Sequence, residues 1–291
     1  MSTHRYSMDL NCDCGEGMPH DRELMQYVSS ASIACGEHAG DAVLMLRTVR
    51  LAKKRGVVIG AHPSFPGRRG FGRLAPKRLD YGRLAKSLFT QISRLNDIAV
   101  SQGVAVVFVK PHGALYSVAA RDANAARCVV EAAATAAGAC TVVGMRRSAL
   151  GDACRRTGLP FIPEAFPDRA YDRAGTLVSR ALPGAVIEDP GQVADRAVRM
   201  ALRRDVISIE GKRIQLATVR TLCIHGDSAH ATEAARAVRR GLETAGVSVE
   251  PFVGGSLSLW ERARVRAFRT PKTRTAKQDD MGREKPCHDH R

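Results

Sequence analysis

Short apolar runs, each followed by a longer stretch with helical periodicity, recur along most of this chain of 291 residues. We identify seven such runs, at 8–12, 31–35, 57–61, 104–109, 140–144, 159–165 and 220–224. This alternation is typical of α/β proteins, in which helices connect the parallel strands of one sheet. The pattern therefore restricts the fold to an open doubly wound sheet or a closed β/α barrel.

The clearest helical stretches are 41–55, 80–102, 122–137, 192–204 and 232–245. Three of them open with an aspartate, Asp41, Asp80 or Asp122, and aspartate is a preferred N-cap residue. Several end near a glycine, as the first does at Gly56, which is typical of a helix C-terminus. Between the last two helices, residues 206–217 predict a β-hairpin that turns at Glu210 and Gly211.

Ionisable residues follow six of the seven predicted strands, and this distribution favours the barrel. An open sheet concentrates its ligand groups at one switch point, whereas the strand ends of a barrel meet at one rim. We therefore expect residues that are distant in sequence to converge on one pocket. The rim residues are Asp9, Asn11, Asp13 and Glu16, then His38, His62, Lys110 and His112, then Glu164, Asp168 and Arg169, and finally His225 and Asp227.

Four histidines occupy the same topological position on four strands, which is the most informative part of this pattern. They are His38, His62, His112 and His225. Carboxylates at the same rim could act as a general base or as hard oxygen ligands, and imidazoles could shuttle protons or bind a transition metal. Lys110 and Arg169 could neutralise a substrate carboxylate or an oxyanion, or pair with a neighbouring aspartate. The residue types alone leave these alternatives open.

Several functional classes lack their sequence signatures. The chain contains no phosphate-binding G-x-x-x-x-G-K-[ST] motif for ATP and no H-E-x-x-H zinc motif. Its net charge is +16, but no basic stripe interleaved with aromatic residues appears, so we expect no specific nucleic-acid binding. We find neither a signal peptide nor a membrane-spanning segment and predict a cytoplasmic protein. We expect one domain at 1–253 and a basic, disordered tail at 254–291.

The strand-end motifs resemble those of the LamB/YcsF family of lactam-utilisation proteins. The resemblance rests on LNCDCGEG, SIACGEHAGD, GAHPSFP, GFGR, VKPHGALY, EAFPDRAY and IHGD, in this order between Leu10 and Asp227. It implies a distorted seven-stranded parallel β/α barrel similar to that of polysaccharide deacetylases. It also implies opening of the 5-oxoproline ring to L-glutamate, coupled to ATP hydrolysis, in a complex with 5-oxoprolinase subunits B and C.

Within this resemblance we assign provisional roles to the rim residues. Asp13 or Glu16 would activate water, His62 or His112 would protonate the leaving nitrogen, and Lys110 with Arg169 would hold anionic oxygens. A divalent metal, if one is used, would take its ligands from Asp9, Asp13, His38 and His62. The remaining residues would bind the lactam substrate: Asn11, His38, Glu164, Asp168, Arg169, His225 and Asp227.

Two positions depart from the family pattern: Glu37 stands where an apolar residue is usual, and Cys14 stands where leucine is usual. The added carboxylate beside His38 could change the charge of the pocket. Two other functions remain open at this point. One is a metal-dependent amidase or deacetylase on the same barrel, and the other is a non-catalytic subunit that only binds the lactam.

Overall fold

Strands and helices alternate throughout the residues that the computed structural model describes, which are 6–138 and 140–252. The strands are β1 (Tyr6–Cys14), β2 (Ser30–Ala34), β3 (Val58–His62), β4 (Val106–Val109), β5 (Thr141–Met145), β6 (Phe161–Ala165), β7 (Asp205–Ile207), β8 (Arg213–Gln215), β9 (Thr221–Ile224) and β10 (Val247–Val249). The helices are α1 (Asp21–Leu24), α2 (Ala42–Arg55), α3 (Tyr81–Ser101), α4 (Gly113–Ala119), α5 (Ala123–Ala136), α6 (Ala149–Thr157), α7 (Pro190–Leu202) and α8 (Ala231–Thr244).

Seven of these strands form a closed parallel barrel, as predicted. Their order is β1, β2, β3, β4, β5, β6 and β9, and β9 pairs again with β1. This last pairing runs from Asp9 opposite Thr221 to Cys12 opposite Ile224. Strand β10 adds to the beginning of β1, where Tyr6 lies opposite Val247. Closure leaves the barrel strands without the unpaired edge that an open sheet would expose.

The predicted helices are confirmed together with the signals that predicted them. The side chains of Asp41, Asp80 and Asp122 each accept a hydrogen bond from a backbone N–H of the first turn. Gly56 ends α2 with φ of 68°, in the left-handed region. The predicted hairpin is the antiparallel pair β7 and β8. The prediction did not include α1, α4, α6 and β10, which have only four, seven, nine and three residues.

Successive residues of a strand point to opposite faces, and this alternation brings one set of polar side chains into the barrel. On β1 these are Asp9, Asn11 and Asp13, which hydrogen-bond or pair with residues that lie on other barrel strands or directly after them. An aromatic and aliphatic cluster of Phe108, Val143 and Phe252 forms a separate part of the buried core. The barrel interior is therefore polar along β1 and apolar beside β4 and β5.

Gly60 on β3 lacks a side chain because the ring of Phe108 on β4 occupies the space. A Cβ at this position would lie 2.3 Å from the nearest ring atom. We expect Gly60→Ala to lower the free energy of unfolding by about 2–3 kcal/mol, since overpacking forces the ring or the backbone to move. Urea denaturation measures the effect, with Gly82→Ala in α3 as the control, where the nearest atom is 3.4 Å away. Equal losses in both variants would contradict this explanation.

The connection between β6 and α7 is long and crosses the mouth of the barrel. Short antiparallel bridges pair Arg169 with Val186 and Tyr171 with Leu177 inside this segment.

Among the described residues, no helix combines the length and apolar character that crossing a membrane requires. The predicted tail at 254–291 lies outside the described residues.

Candidate active site

A cavity of about 610 Å³ opens at the carboxyl ends of the barrel strands. Its walls include Asp13 from β1, His62 from β3 and Glu164 from β6. Lys110, His112 and His225 reach it from the segments directly after β4 and β9. Residues far apart in sequence thus meet in one pocket, as we predicted from the strand ends.

Lys110 is the central charge of the cavity floor and is almost completely buried, with 2% of its surface exposed. Its Nζ atom lies 2.6 Å from Asp13 Oδ1 and 3.2 Å from Glu164 Oε1. The same ammonium donates to Asn11 Oδ1 at 2.9 Å and contacts Cys223 Sγ at 3.1 Å. An ammonium has three N–H bonds, so these neighbours already use its donor capacity.

Charge compensation governs the ionisation of this group. Burial lowers the pKa of Lys110, but the negative charge of Asp13 leads the opposing effects, which raise that pKa well above its ordinary value. Burial raises the pKa of Asp13, but the charges of His62 and Lys110 lead the effects that hold it well below its ordinary value. The floor therefore contains a buried ammonium and an ionised carboxylate in contact.

Asn11 and Asp9 lie along β1 behind Asp13. The amide of Asn11 donates to Glu164 Oε1 at 2.9 Å and to Thr221 Oγ1 at 2.7 Å, so it links three barrel strands. Asp9 accepts hydrogen bonds from the hydroxyls of Ser29, Ser30 and Thr221. Asp9 is not among the residues that line the cavity.

The hydrogen bonds of His62 and His112 fix which ring nitrogens carry protons. His62 Nδ1 lies 2.7 Å from the carbonyl oxygen of Lys110, and His112 Nε2 lies 2.8 Å from that of Phe71. A carbonyl oxygen only accepts, so both of these nitrogens must donate. In the neutral rings the other nitrogens, His62 Nε2 and His112 Nδ1, carry lone pairs, and they face each other at 3.0 Å.

Two opposed lone pairs repel, so these nitrogens need either a metal ion between them or a proton on His62 Nε2, which would give the charged ring that lowers the pKa of Asp13. Asp13 Oδ2 is 3.4 Å from His62 Nε2, so a carboxylate oxygen completes the group. Asp13, His62 and His112 offer ligand atoms that all lie within 4.8 Å of one another. Two imidazoles and one carboxylate suit zinc and similar transition metals, and the carbonyl contacts orient the rings as outer-sphere partners do. The residues present therefore fit a divalent metal.

The structure divides the four metal ligands that we expected from sequence. Asp13 and His62 join His112 in one group, whereas His38 joins Glu16 and His112 in another. Asp9 belongs to no such group among the described residues, because hydroxyls of neighbouring strands surround its carboxylate. His112 was assigned a role in proton transfer, and the geometry adds it to the possible ligands.

Glu16 and His38 lie next to His112, on the same side of the cavity as Asp13 and His62. His38 Nε2 lies 3.1 Å from Glu16 Oε1, and the His38 ring stacks on His112 with centroids 3.8 Å apart. Burial, followed by the charge of Asp13, raises the pKa of Glu16 to about 7. Burial, followed by the charge of His62, lowers the pKa of His38 to about 3 and that of His112 to about 2.

The glycine-rich loop at Gly67–Arg73 packs against the rings of His38 and His112. Phe71 contacts the edges of the His38 and His112 rings, and its carbonyl accepts from His112. Gly72 has φ of 64°, and a Cβ there would lie 2.9 Å from both His112 and His38. Only glycine lets the loop approach the imidazoles this closely.

A second imidazole–carboxylate pair stands across the cavity. Asp168 Oδ2 accepts from His225 Nδ1 at 2.7 Å and from its backbone N–H at 3.1 Å. Burial raises the pKa of Asp168, but the charge of His225 leads the effects that lower it below its ordinary value. His225 therefore donates through Nδ1 and presents Nε2, as a histidine oriented for proton transfer does.

The last two rim residues interact mainly with loops. Asp227 pairs with Arg73 and, at 3.0 Å, with Arg180, and so joins two loops at the mouth. Arg169 lines the cavity, but its guanidinium donates to the carbonyls of Val178 and Ala185 in the β6–α7 connection. These contacts hold the connection in place.

Sequence reasoning missed several lining residues. We counted six strand ends with ionisable residues, but β5 is followed by Arg146 and Arg147, which also line the cavity. Cys223 contacts Lys110, and the alternation on β9 could have found it, since it stands two residues before His225.

Glu37 and Cys14, which depart from the family pattern, are not among the lining residues.

A closed parallel β/α barrel with buried carboxylates, imidazoles and a lysine at its strand ends defines a class of barrel protein with an enzyme-like pocket. Comparison with known sequences gives the particular family. The sequence profile of the LamB/YcsF family matches residues 8–256, and the chain belongs to this family.

Relatives with assigned names are similar over nearly their whole length. A protein from Rhodopseudomonas palustris (strain ATCC BAA-98 / CGA009), named as the A subunit of 5-oxoprolinase, is 44% identical over 252 residues, 85% of this chain and 99% of the relative. One of the same name from Thermus thermophilus is 42% identical over 250 residues, 84% of this chain and 99% of the relative. Because this name designates one subunit, it implies that these relatives work within a multi-subunit complex.

The fold is also that of a solved structure. The crystal structure of the lactam utilization protein from Thermus thermophilus has a TM-score of 0.79 and 41% sequence identity. The match covers 84% of this chain and 100% of that chain. The similarity therefore extends over the barrel and the residues of its rim.

Proposed function

We propose that this protein is the A subunit of an ATP-dependent 5-oxoprolinase, a hydrolase that opens the cyclic amide of 5-oxoproline to give L-glutamate. The observation that carries the proposal is the joining of Asp13, Glu16 and three imidazoles in one cavity. The chain that builds this cavity is 44% identical to a protein named for this activity over 99% of that protein. A polar pocket with titratable groups of shifted pKa is the expected setting for acid–base chemistry.

The chemistry that the reaction needs can be assigned to residues of this chain. Hydrolysis of a lactam requires a base for the attacking water and an acid for the leaving nitrogen. Glu16, whose pKa burial raises to about 7, is our choice for the base, because a base with a pKa near neutrality can both take up and release the proton at neutral pH. His225, oriented by Asp168, is well suited to protonate the nitrogen as the C–N bond breaks.

Lys110 acts in this proposal as a positioning residue and does not bind the substrate directly. Its N–H bonds are used by Asn11, Asp13, Glu164 and Cys223, so it fixes the carboxylates on the cavity floor. A metal bound by Asp13, His62 and His112 would supply Lewis-acid polarisation of a carbonyl and acidify bound water. Arg169 is likewise a positioning residue in this proposal. Its guanidinium donates to backbone carbonyls of the β6–α7 connection and so holds that connection above the substrate.

ATP enters the proposal as a co-substrate that the partner subunits handle. The chain carries no G-x-x-x-x-G-K-[ST] loop, and a five-membered lactam is an unstrained amide whose closed form is favoured. We therefore propose that subunits B and C phosphorylate the lactam and that this barrel hydrolyses the activated ring. ATP hydrolysis by the purified barrel protein alone would contradict this division.

Reconstitution tests the proposed function directly. We expect glutamate release from 5-oxoproline and ATP only when this protein is mixed with its B and C partners, and none from this protein alone or the partners alone. An enzymatic glutamate assay provides the measurement. Absence of glutamate from a mixture of folded partners that are shown to bind one another would contradict the assignment.

A metal-dependent amidase is the second candidate, and a specific observation favours it. His62 Nε2 and His112 Nδ1, 3.0 Å apart beside Asp13, match the donor set of a hydrolytic metal site when both rings are neutral. Such an enzyme would release acetate from acetylated sugars without ATP or partners, and chelation would abolish that activity. Under the 5-oxoprolinase proposal we expect no acetate release from the protein alone.

A further inference from the structure

Three arginines at one end of the cavity have no role in the chemistry described above. Arg121 stands between α4 and α5, and Arg146 and Arg147 stand between β5 and α6. All three line the cavity that contains Asp13, Lys110 and His225. A backbone hydrogen bond of 2.9 Å from Ala149 N to Ala120 O holds the two loops side by side.

In the part of the chain that the structure describes, these three arginines have no acidic partner; Arg146 is half-buried, and Arg121 and Arg147 are exposed at the mouth of the cavity. Within the described residues, none of their guanidinium groups forms an ion pair or side-chain hydrogen bond. By contrast, Arg73 and Arg180 at the same mouth both pair with Asp227. Burial is the main cause that lowers the pKa of Arg146, and the positive charge of the adjacent Arg147 adds to this effect.

The backbone adds a further sign that the arrangement is specified. Arg147 has φ of 54°, in the left-handed region that residues with a side chain adopt at a cost of about 1–2 kcal/mol. Strained residues of this kind concentrate at ligand sites. Next to it, Ser148 also lines the cavity and caps α6 by accepting from Gly151 N at 3.2 Å.

We propose that Arg121, Arg146 and Arg147 form a subsite for a phosphoryl group, and that its source is the phosphorylated lactam. The identity of the source rests on the function proposed above. Three guanidinium groups match a phosphoryl dianion with its three terminal oxygens, whereas the lactam itself carries a single carboxylate. The cavity then holds the ring over Asp13 and Glu16 and the phosphoryl group between the two loops.

The corresponding chemistry is balanced. At the partner subunits, the γ-phosphoryl group of ATP passes to the lactam carbonyl oxygen, which forms a C–O–P linkage and releases ADP. In the cavity, water adds to that carbon, and the C–N bond breaks as the nitrogen takes up a proton. The product is an acyl phosphate, from which a second water releases phosphate and leaves glutamate. The arginines would hold the phosphoryl group through both hydrolytic steps.

Binding of inorganic phosphate to the isolated barrel protein tests the subsite. We expect calorimetry to detect phosphate binding that Arg146→Gln or Arg121→Gln weakens roughly tenfold or more. Arg127→Gln and Arg155→Gln are matched controls, because they remove exposed arginines from α5 and α6 that pair with Glu131 and Asp152. Phosphate binding that is absent, or equally affected by all four substitutions, would overturn the subsite.

Competition identifies the source of the phosphoryl group. If ADP binds to the subsite no more tightly than inorganic phosphate does, the result supports the phosphorylated lactam as the source. Much tighter ADP binding that is lost in Arg146→Gln would assign the site to nucleotide and overturn the proposed source. 5-Oxoproline binding that depends on the arginines, with phosphate binding unchanged, would show that they hold its carboxylate and would also overturn it.

Activity separates this inference from the proposed function. In the reconstituted complex we expect Arg146→Gln to lower kcat/KM for glutamate release at least tenfold and the two controls to leave it unchanged. Glutamate release with unaffected arginine variants would overturn the subsite and leave the function standing. Arginine-dependent phosphate binding in a complex that makes no glutamate would contradict the function while the phosphoryl site remained.

Discussion

Replacement of Asp13 by asparagine is expected to lower glutamate release from the reconstituted complex by at least about 10³-fold. Asp13 contributes an ionised carboxylate beside His62, and an amide of the same shape removes that charge from the cavity floor. It also leaves the Lys110 ammonium facing a neutral group. The measurement is the glutamate assay, with circular dichroism to establish that the variant is folded.

Asp205→Asn is the matched control for this prediction. Asp205 is also a fully buried carboxylate, and it pairs with Arg199 and Arg213 between α7 and the β7–β8 hairpin. We expect this control to lose stability but to retain the activity of the folded protein. Activity of Asp13→Asn within tenfold of the unsubstituted protein would show that the reaction does not depend on this carboxylate.

Replacement of Lys110 by methionine is expected to reduce the free energy of unfolding by about 3–5 kcal/mol at pH 7.5. The methionine fills a similar volume but leaves Asp13 and Glu164 buried without the ammonium that lies between them. Buried carboxylates that lose a cationic partner become costly to ionise. Urea denaturation of both proteins at several pH values provides the measurement.

The sign of the pH dependence follows from the direction of the shift. In the unsubstituted protein the net effect holds the pKa of Asp13 below its ordinary value, so its stabilisation is complete above the unfolded pKa and is lost as the pH falls through the folded pKa. The difference between the two proteins should therefore be largest at neutral pH and shrink in acid. Adding Glu164→Gln to the methionine variant should recover part of the loss, because one uncompensated charge is removed.

Lys53→Met is the control for loss of a lysine in general. Lys53 donates to the carbonyl oxygen of Gln102 at 2.6 Å on the exposed surface. We expect its replacement to change the unfolding free energy by less than about 0.5 kcal/mol. A Lys110→Met variant as stable as this control would contradict a central role for the buried ammonium.

The barrel could be predicted because its sequence signals are local and repeated. Each strand is a short apolar run, and Asp41, Asp80 and Asp122 mark helix starts by side-chain hydrogen bonds within one turn. Convergence of Asp13, His62 and Lys110 followed from one topological rule about strand ends. Neither the barrel nor the meeting of its strand-end residues required knowledge of contacts between distant parts of the chain.

The hydrogen-bond partners of the individual rim residues could not be predicted in the same way. The rim position of Asp9 does not reveal that hydroxyls from two other strands surround it. The proton positions on His62 and His112 depend on carbonyls of Lys110 and Phe71, which are backbone atoms and leave no sequence signal. Such contacts are set by the packing of loops against the barrel.

Closure of the barrel by β1 and β9 has a consequence for the synthesis of the protein. The hydrogen bond between Thr221 and Asp9 joins residues 212 positions apart, and Asn11 reaches Glu164 across 153 positions. Contacts of such long range form slowly, and they cannot form on the ribosome before β9 has emerged. Asp9 can meet Ser29 and Ser30 early, but its bond with Thr221 and the bonds of Asn11 with Glu164 and Thr221 must wait through most of translation. The candidate catalytic groups therefore come together completely only after β9 has been made, and a half-made chain lacks the closed cavity.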